Sequence, residues 1–215
     1  MRTSRFLASV ASAELFDQAR FGLSVAEAAT TDPQQRLLLE AGLSALARAA
    51  LSARMLAGSD MAVVLAISNA DWNCLQFVQT GRSLEGDPSA AASSVYAATG
   101  GALSVAAGRI SFVLGLHGPC ESIDTACSSA AVALHLTSLH MSAHDCSRAL
   151  TASATLVLSP HVSLTYARAG MLSMDGKCKT FDARANGYVR GEGIGAVVVG
   201  SEPAAELHAG ASTIA

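Results

Sequence analysis

Residues 118–130 read Gly118-Pro119-Cys120-Glu121-Ser122-Ile123-Asp124-Thr125-Ala126-Cys127-Ser128-Ser129-Ala130. The pattern predicts a short strand over Glu121–Asp124, a tight turn, and a helix rich in small residues. Cys127 falls at the turn. A thiol there meets the first free backbone N–H groups of the helix, and the helix dipole favours its anionic form. That is how a fold makes a cysteine nucleophilic at neutral pH. The competing reading is a buried, inert cysteine. Ser128, Ser129, Ala130 and Ala131 are all small, so the first helical turn leaves room for another molecule to approach.

The rest of the 215-residue chain is half hydrophobic, weakly charged and rich in alanine, which suits helices and close packing between layers. A formal net charge of −3 argues against nucleic acid or an anionic membrane surface as a partner. The five cysteines, Cys74, Cys120, Cys127, Cys146 and Cys178, are odd in number and widely spaced, with no CxxC pair. This points away from a disulfide framework or zinc site and towards a reducing compartment. No apolar run is long enough to span a bilayer. Met1–Arg5 has the basic start of a targeting peptide, but Glu14 and Asp17 follow it closely. The expected location is the cytoplasm, with an organelle such as a plastid also compatible. No metal is expected. His140, His144 and Cys146 have a metal-like spacing, but Ser142 and Asp145 make that run an ordinary polar helix end.

Outward from the turn, the chain alternates helical stretches with apolar runs. Thr31-Asp32-Pro33 opens a helix with capping residues and a first-turn proline. Leu37, Leu38, Leu39, Leu43 and Leu46 supply its apolar face, and Ala57-Gly58 is its expected end. Met61–Ile67 is apolar without alternation, as in a strand buried on both faces of a parallel sheet. Trp72 follows in a loop, with packing as its expected role. Gly81–Ser89 reads as an exposed loop, and Ala90–Gly108 as helical on either side of Gly100-Gly101. Arg109 reads as a structural ion-pair residue. The helix after Cys127 is expected to run to about Ser142, with His135, about 12 Å along it, as a packed helix histidine. Strands are expected at Arg148–Val157 and Ile194–Val199, the latter antiparallel at an edge. Asp182, Arg184, Arg190 and Glu192 read as one compact ion network. A single domain over 1–215 is the simplest organisation, since no repeat or linker is visible.

Asp124-Thr125-Ala126-Cys127-Ser128-Ser129 resembles the active-site signature of β-ketoacyl synthases, in particular the ketosynthase domains of type I polyketide synthases. Asp32–Glu40 (DPQQRLLLE), Thr99–Ser104 with Ala107–Phe112, and Met171–Gly195 resemble further motifs of that family, in the same order. Three departures stand out. Arg20 replaces a usual phenylalanine, Met174 and Thr180 replace two prolines, and Ala152-Ser153-Ala154-Thr155 replaces a segment with two glycines. The last is expected to tighten the pocket beside Cys127.

The resemblance implies an α/β, thiolase-like fold, of which the chain is the N-terminal half: a mainly parallel sheet flanked by helices. It implies that residues 1–215 form a partial synthase N-terminal domain, beginning after a first strand that holds the centre of the sheet and lacking the C-terminal half. It also implies the reaction, acyl transfer to Cys127 and decarboxylative Claisen condensation with a malonyl-type thioester, in polyketide or fatty acid biosynthesis. The chain itself would bind no cofactor, its substrates riding on the phosphopantetheine of an acyl carrier protein. A homodimer pairing near Glu121–Asp124 is implied too. Neither family histidine motif, HGTGT nor GHxEAAAG, is present. Only Cys127 therefore carries over as catalytic, with its N–H as one oxyanion donor, and the isolated chain is expected to be inactive. Two other readings stand beside this one: an incompetent or dimerisation remnant of a ketosynthase, and a cysteine hydrolase, which lacks a GxSxG-like elbow and an Asp-His pair.

Overall fold

A computed structural model describes residues 7–76 and 96–200. The expected Gly81–Ser89 loop, the 90–95 part of the next helical stretch, and the chain from Ser201 lie outside the described residues. The helices are α1 (Val25–Thr30), α2 (Pro33–Arg48), α3 (Ala53–Leu56), α4 (Ala97–Gly100), α5 (Ala106–Leu114), α6 (Ser129–Ser142) and α7 (Pro160–Arg168). The strands are β1 (Ala62–Ile67), β2 (Cys120–Ile123), β3 (Arg148–Thr155) and β4 (Gly193–Gly200).

The strands form one sheet in the order β2-β1-β3-β4. β1 runs parallel to β2 and to β3, and β4 returns antiparallel along β3 at the edge. This is the mainly parallel, helix-flanked sheet expected of the sequence. One detail differs from expectation. Ala62–Ile67 pairs residue for residue with Ala149–Ala154, so the sheet is unbroken at its centre, where the resemblance puts a first strand.

All six residues of β1 are buried, which explains the absence of alternation in its sequence. Val63, Leu65 and Ile67 join Leu150, Ala152 and Ala154 of β3 in a core shared with Leu38 and Leu46 of α2 and Ile110 of α5. Ala62, Val64 and Ala66 face the other way, where Val64 and Ala66 meet Ala133 of α6. Burying such aliphatic side chains contributes about 1.5–3 kcal/mol each.

The Asp32 carboxylate caps α2 by accepting the Gln34 N–H at 2.7 Å, and Pro33 fills the first turn. The sequence predicts this helix to Ala57-Gly58, but the structure divides it. Ala50 takes a φ of 56°, a left-handed conformation that breaks the helical ladder, before α3 begins. Arg20 is exposed, and the buried Phe21 beside it stacks on Phe16, so the arginine costs the core nothing. Trp72 packs as expected, donating its indole N–H to Thr30 O at 2.9 Å, but it does so from a helical stretch over residues 71–76 rather than from a loop.

Gly118 leads into β2 where the chain passes against the start of β1. A Cβ there would lie 2.0 Å from the Asp60 carbonyl oxygen, and backbone cannot swing aside as a side chain can. Gly118→Ala is therefore expected to destabilise the fold by about 1–3 kcal/mol. Urea unfolding checks this, and an unchanged midpoint would contradict the close approach.

Candidate active site

Cys127 sits where the sequence places it, in a single 3-10 turn, Ala126–Ser128, between β2 and α6. That is the carboxyl end of the parallel strands, where open α/β sheets gather their ligands. The turn is built by short polar side chains. The Asp124 carboxylate accepts the Ala126 N–H at 3.0 Å. Ser129, almost fully buried, accepts the Thr125 N–H at 2.8 Å and donates to Ala126 O at 2.7 Å. Ser128 Oγ donates to Thr125 at its carbonyl (2.8 Å) or its hydroxyl (2.9 Å). Ala126 carries a φ of 56°, a conformation that favours glycine and is held here by these bonds. The thiol of Cys127 is left exposed at the apex.

Tyr188 lies near Cys127, and sequence reasoning does not single it out as belonging to the site. Tyr188 is fixed by backbone bonds to Met171 and Ser173. Burial pushes the Tyr188 phenol above its ordinary pKa; Tyr166 and the nearby Cys127 sulfur add to this, and Arg190 opposes it. Arg190 donates to Ser163 Oγ at 2.8 Å and lies over the Tyr166 ring at 5.5 Å. The Gly-Tyr-Val-Arg-Gly-Glu-Gly run is the available signal, since glycines flanking an aromatic and an arginine mark a close-packed crossing.

Several expectations change. Asp182, Arg184, Arg190 and Glu192 do not form one network. Asp182 pairs with Arg184 at 2.7 Å, while the Glu192 carboxylate accepts the backbone N–H groups of Val10 (3.0 Å) and Val157 (2.8 Å). Asp182 and Arg184 sit together in a turn, and the chain beyond it takes Arg190 to Ser163 on α7 and Glu192 to the end of β3. His135 is exposed rather than packed, since Ala133, Leu136 and Thr137 take the inward positions of α6. Of the residues that replace the glycine pair, Ala152 belongs to the core under α2, on the far side of the sheet from Cys127. By strand alternation Ser153 and Thr155 turn to the α6 side. The expected tightening thus comes down to two hydroxyls.

Other expectations hold. Arg109 is a structural ion-pair residue, 2.7 Å from Glu27 and buried to 7 % exposure of its side chain. Its Nε donates to Gln35 at 2.9 Å. Among the remaining cysteines, Cys146 is buried and its thiol is pushed up in pKa by that burial. Cys178 accepts the Val189 N–H at 3.2 Å. All five cysteines are free thiols.

An open mixed sheet flanked by helices, with a cysteine at the strand–helix elbow, is the thiolase-like arrangement that the sequence resemblance implies. The chain belongs to the family described as "Beta-ketoacyl synthase, N-terminal domain", whose model matches residues 2–205. It is 41 % identical over 184 residues to a component of the phenolphthiocerol/phthiocerol polyketide synthase of Mycobacterium tuberculosis, covering 86 % of this chain and 8 % of that protein. It is 42 % identical over 184 residues to the fumosorinone synthetase of Cordyceps fumosorosea, covering 86 % of this chain and 4 % of that one. Among solved structures it superposes on the oxazolomycin ketosynthase domain of Streptomyces albus with a TM-score of 0.76 and 30 % identity, over 87 % of this chain and 31 % of that one. The ketosynthase from module 6 of the Bacillus subtilis bacillaene synthase gives 0.72 and 35 %, over 88 % and 30 %. The chain therefore spans only a small part of the curated relatives it matches.

The Ser129 hydroxyl, at the head of α6, both accepts from Thr125 and donates to Ala126 on the strand side of Cys127. Ser129→Ala leaves the Thr125 N–H without its acceptor and is expected to cost about 1–3 kcal/mol. Thermal unfolding of the variant against the wild type is the check, and equal stability would remove Ser129 from this role.

Proposed function

We propose that this chain is the nucleophile-bearing part of a polyketide synthase ketosynthase, with Cys127 as the acyl-accepting residue. The observation that carries this reading is the exposed thiol on a strand–helix elbow, in Asp124-Thr125-Ala126-Cys127-Ser128-Ser129, at the carboxyl end of a parallel sheet. The Cys127 thiolate attacks the thioester carbonyl of an acyl group on the phosphopantetheine arm of an acyl carrier protein. The carrier thiolate leaves, and the acyl group stays on Cys127. A malonyl-type extender, also on a carrier, then loses CO2. Its carbanion attacks the acyl-Cys127 carbonyl, a carbon–carbon bond forms, and the Cys127 thiolate is expelled.

Charge builds on the carbonyl oxygen in both additions. The backbone N–H of Cys127 at the head of α6 is suited to be one donor to that oxygen. The second donor and the decarboxylating groups would come from the two histidine motifs of the family, which this sequence does not contain. The cofactor arm belongs to the carrier protein, so the chain binds none of its own. Free thiols throughout suit a reducing compartment such as the cytoplasm. Among the described residues, no helix is long and apolar enough to cross a membrane.

Incubation of the chain with an acyl thioester or with cerulenin, followed by peptide mass spectrometry, should place the adduct on Cys127, and Cys127→Ala should abolish it. An adduct mainly on Cys74 or Cys178 would count against the site. In the same preparation, residues 1–215 should release no CO2 from malonyl-loaded carrier protein. Loss of even one oxyanion donor costs on the order of a hundredfold or more. Turnover like that of a complete ketosynthase would overturn the assignment of the missing groups to the second half.

The reading also includes a homodimer. β2 bonds to β1 along one edge only, among the described residues, and its other edge can pair with a second copy. Cys120, exposed on β2, is a natural reporter. A short thiol crosslinker should join Cys120 to Cys120 between copies of the full-length protein that carries this chain. A strictly monomeric protein would refute the pairing.

A further inference from the structure

Strand β2 and helix α6 are consecutive, so their relative placement sets the geometry of the Cys127 elbow between them. Near the elbow the two are joined through the short side chains already described. At the far end of α6, thirteen residues or about 20 Å away, they are joined by one residue. The sheet-facing stripe of α6 runs Ser129, Ala133, Leu136, Thr137 and on to His140. The His140 Nε2 lies 3.1 Å from Glu121 Oε1 on β2, and its Nδ1 lies 3.0 Å from Asp145 Oδ2 beyond the helix end. A neutral imidazole has one N–H and one lone pair, so it can donate to only one of two carboxylates. Bonds on both nitrogens require the imidazolium.

We propose that His140, held as an imidazolium between Glu121 and Asp145, is a positioning residue for Cys127 that ties the last turn of α6 to β2. The positioning role rests on Cys127 being the nucleophile; the tie itself does not. No other charged side chain among the described residues faces His140 from the packed elements. β1 and β3 turn Ala62, Val64, Ala66, Ala149 and Thr151 to this side. Cys146 is a buried thiol raised in pKa, and Asp60 is bonded to the N–H and hydroxyl of Ser147.

The hydrogen bond to Asp145 raises the His140 pKa most; partial burial opposes it, and Glu121 adds to it. Because the folded pKa exceeds the unfolded value of about 6.5, the stabilisation is fully present below that value. It is lost as pH rises through the folded pKa. Above it the ring keeps one proton, one of the two bonds breaks, and α6 is held to β2 less firmly.

The test uses the full chain. NMR titration of the His140 ring should give a pKa above about 6.5 that falls in Glu121→Gln; an ordinary value, or no change in the variant, overturns the tie. Between about pH 6 and about pH 8 the wild type should lose about 2–4 °C more in Tm than His140→Gln; equal loss also overturns it. The rate of Cys127 alkylation by iodoacetamide should carry an inflection at the His140 pKa, absent from His140→Gln and shifted down in Glu121→Gln. If the titration and Tm results hold but this inflection is missing, the positioning role is overturned. If the inflection holds while no acyl thioester labels Cys127, the tie stands and the ketosynthase reading fails. Should His140→Gln not fold, Glu121→Gln, which keeps the Asp145 contact, carries each comparison.

Discussion

β1 is hydrogen-bonded on both edges and covered on both faces, and the rest of the molecule depends on that. One edge holds β2, the strand that leads into the Cys127 turn; the other holds β3, and through it β4. A strand in this position must be apolar at every residue, because neither face meets water. Parallel pairing also sets the carboxyl ends of β1, β2 and β3 side by side. The elbow, Asn69 and Thr155 therefore lie at one end of the sheet, with Asn69 donating to Thr155 Oγ1 at 3.3 Å.

Burying so much backbone leaves polar groups to be satisfied at the strand ends, and two glutamines answer them. Gln34 donates to Asn69 O at 3.1 Å and accepts the Leu156 N–H at 3.2 Å, joining the head of α2 to the ends of β1 and β3. Gln35 donates to Gly100 O and Ala102 O at 3.0 and 3.1 Å and accepts from Arg109. Arg109 then reaches Glu27 on α1. The two glutamines are 1 % exposed, so their amides must be fully paired or cost about 1–3 kcal/mol each. The Asp-Pro-Gln-Gln-Arg run is thus a structural device: it caps α2 and supplies internal amides that close neighbouring turns.

The candidate site is assembled from pieces of unequal legibility. Cys127 is readable because a strand, a turn and a small-residue helix are local events within a dozen residues. Arg109 as an ion-pair residue is also readable, although its partner is not, since Glu27 is remote in the chain. Tyr188 comes near the elbow only through a crossing of its segment past 171–173, which no local periodicity encodes. The expected ion network fails for the same reason. Four charges close in sequence are not close in space, because the turn at 180–184 keeps Asp182 and Arg184 together while the chain beyond it carries Arg190 to Ser163 and Glu192 to the backbone of Val10 and Val157.

By itself, the sequence determined the main strands, the helices that start at Pro33 and after Cys127, the cap of α2, the burial of β1, the antiparallel edge strand and the place of Cys127 at the elbow. Each of these follows from short-range rules of backbone conformation and hydrophobic pattern. Only the tertiary structure decided that the sheet is continuous at its centre, that Ala152 faces away from Cys127, and that His140 spans Glu121 and Asp145. Those facts depend on register and on which face of a helix meets the sheet. A shift of one residue in either would exchange inward and outward side chains, and only the packing of all the layers together selects the register.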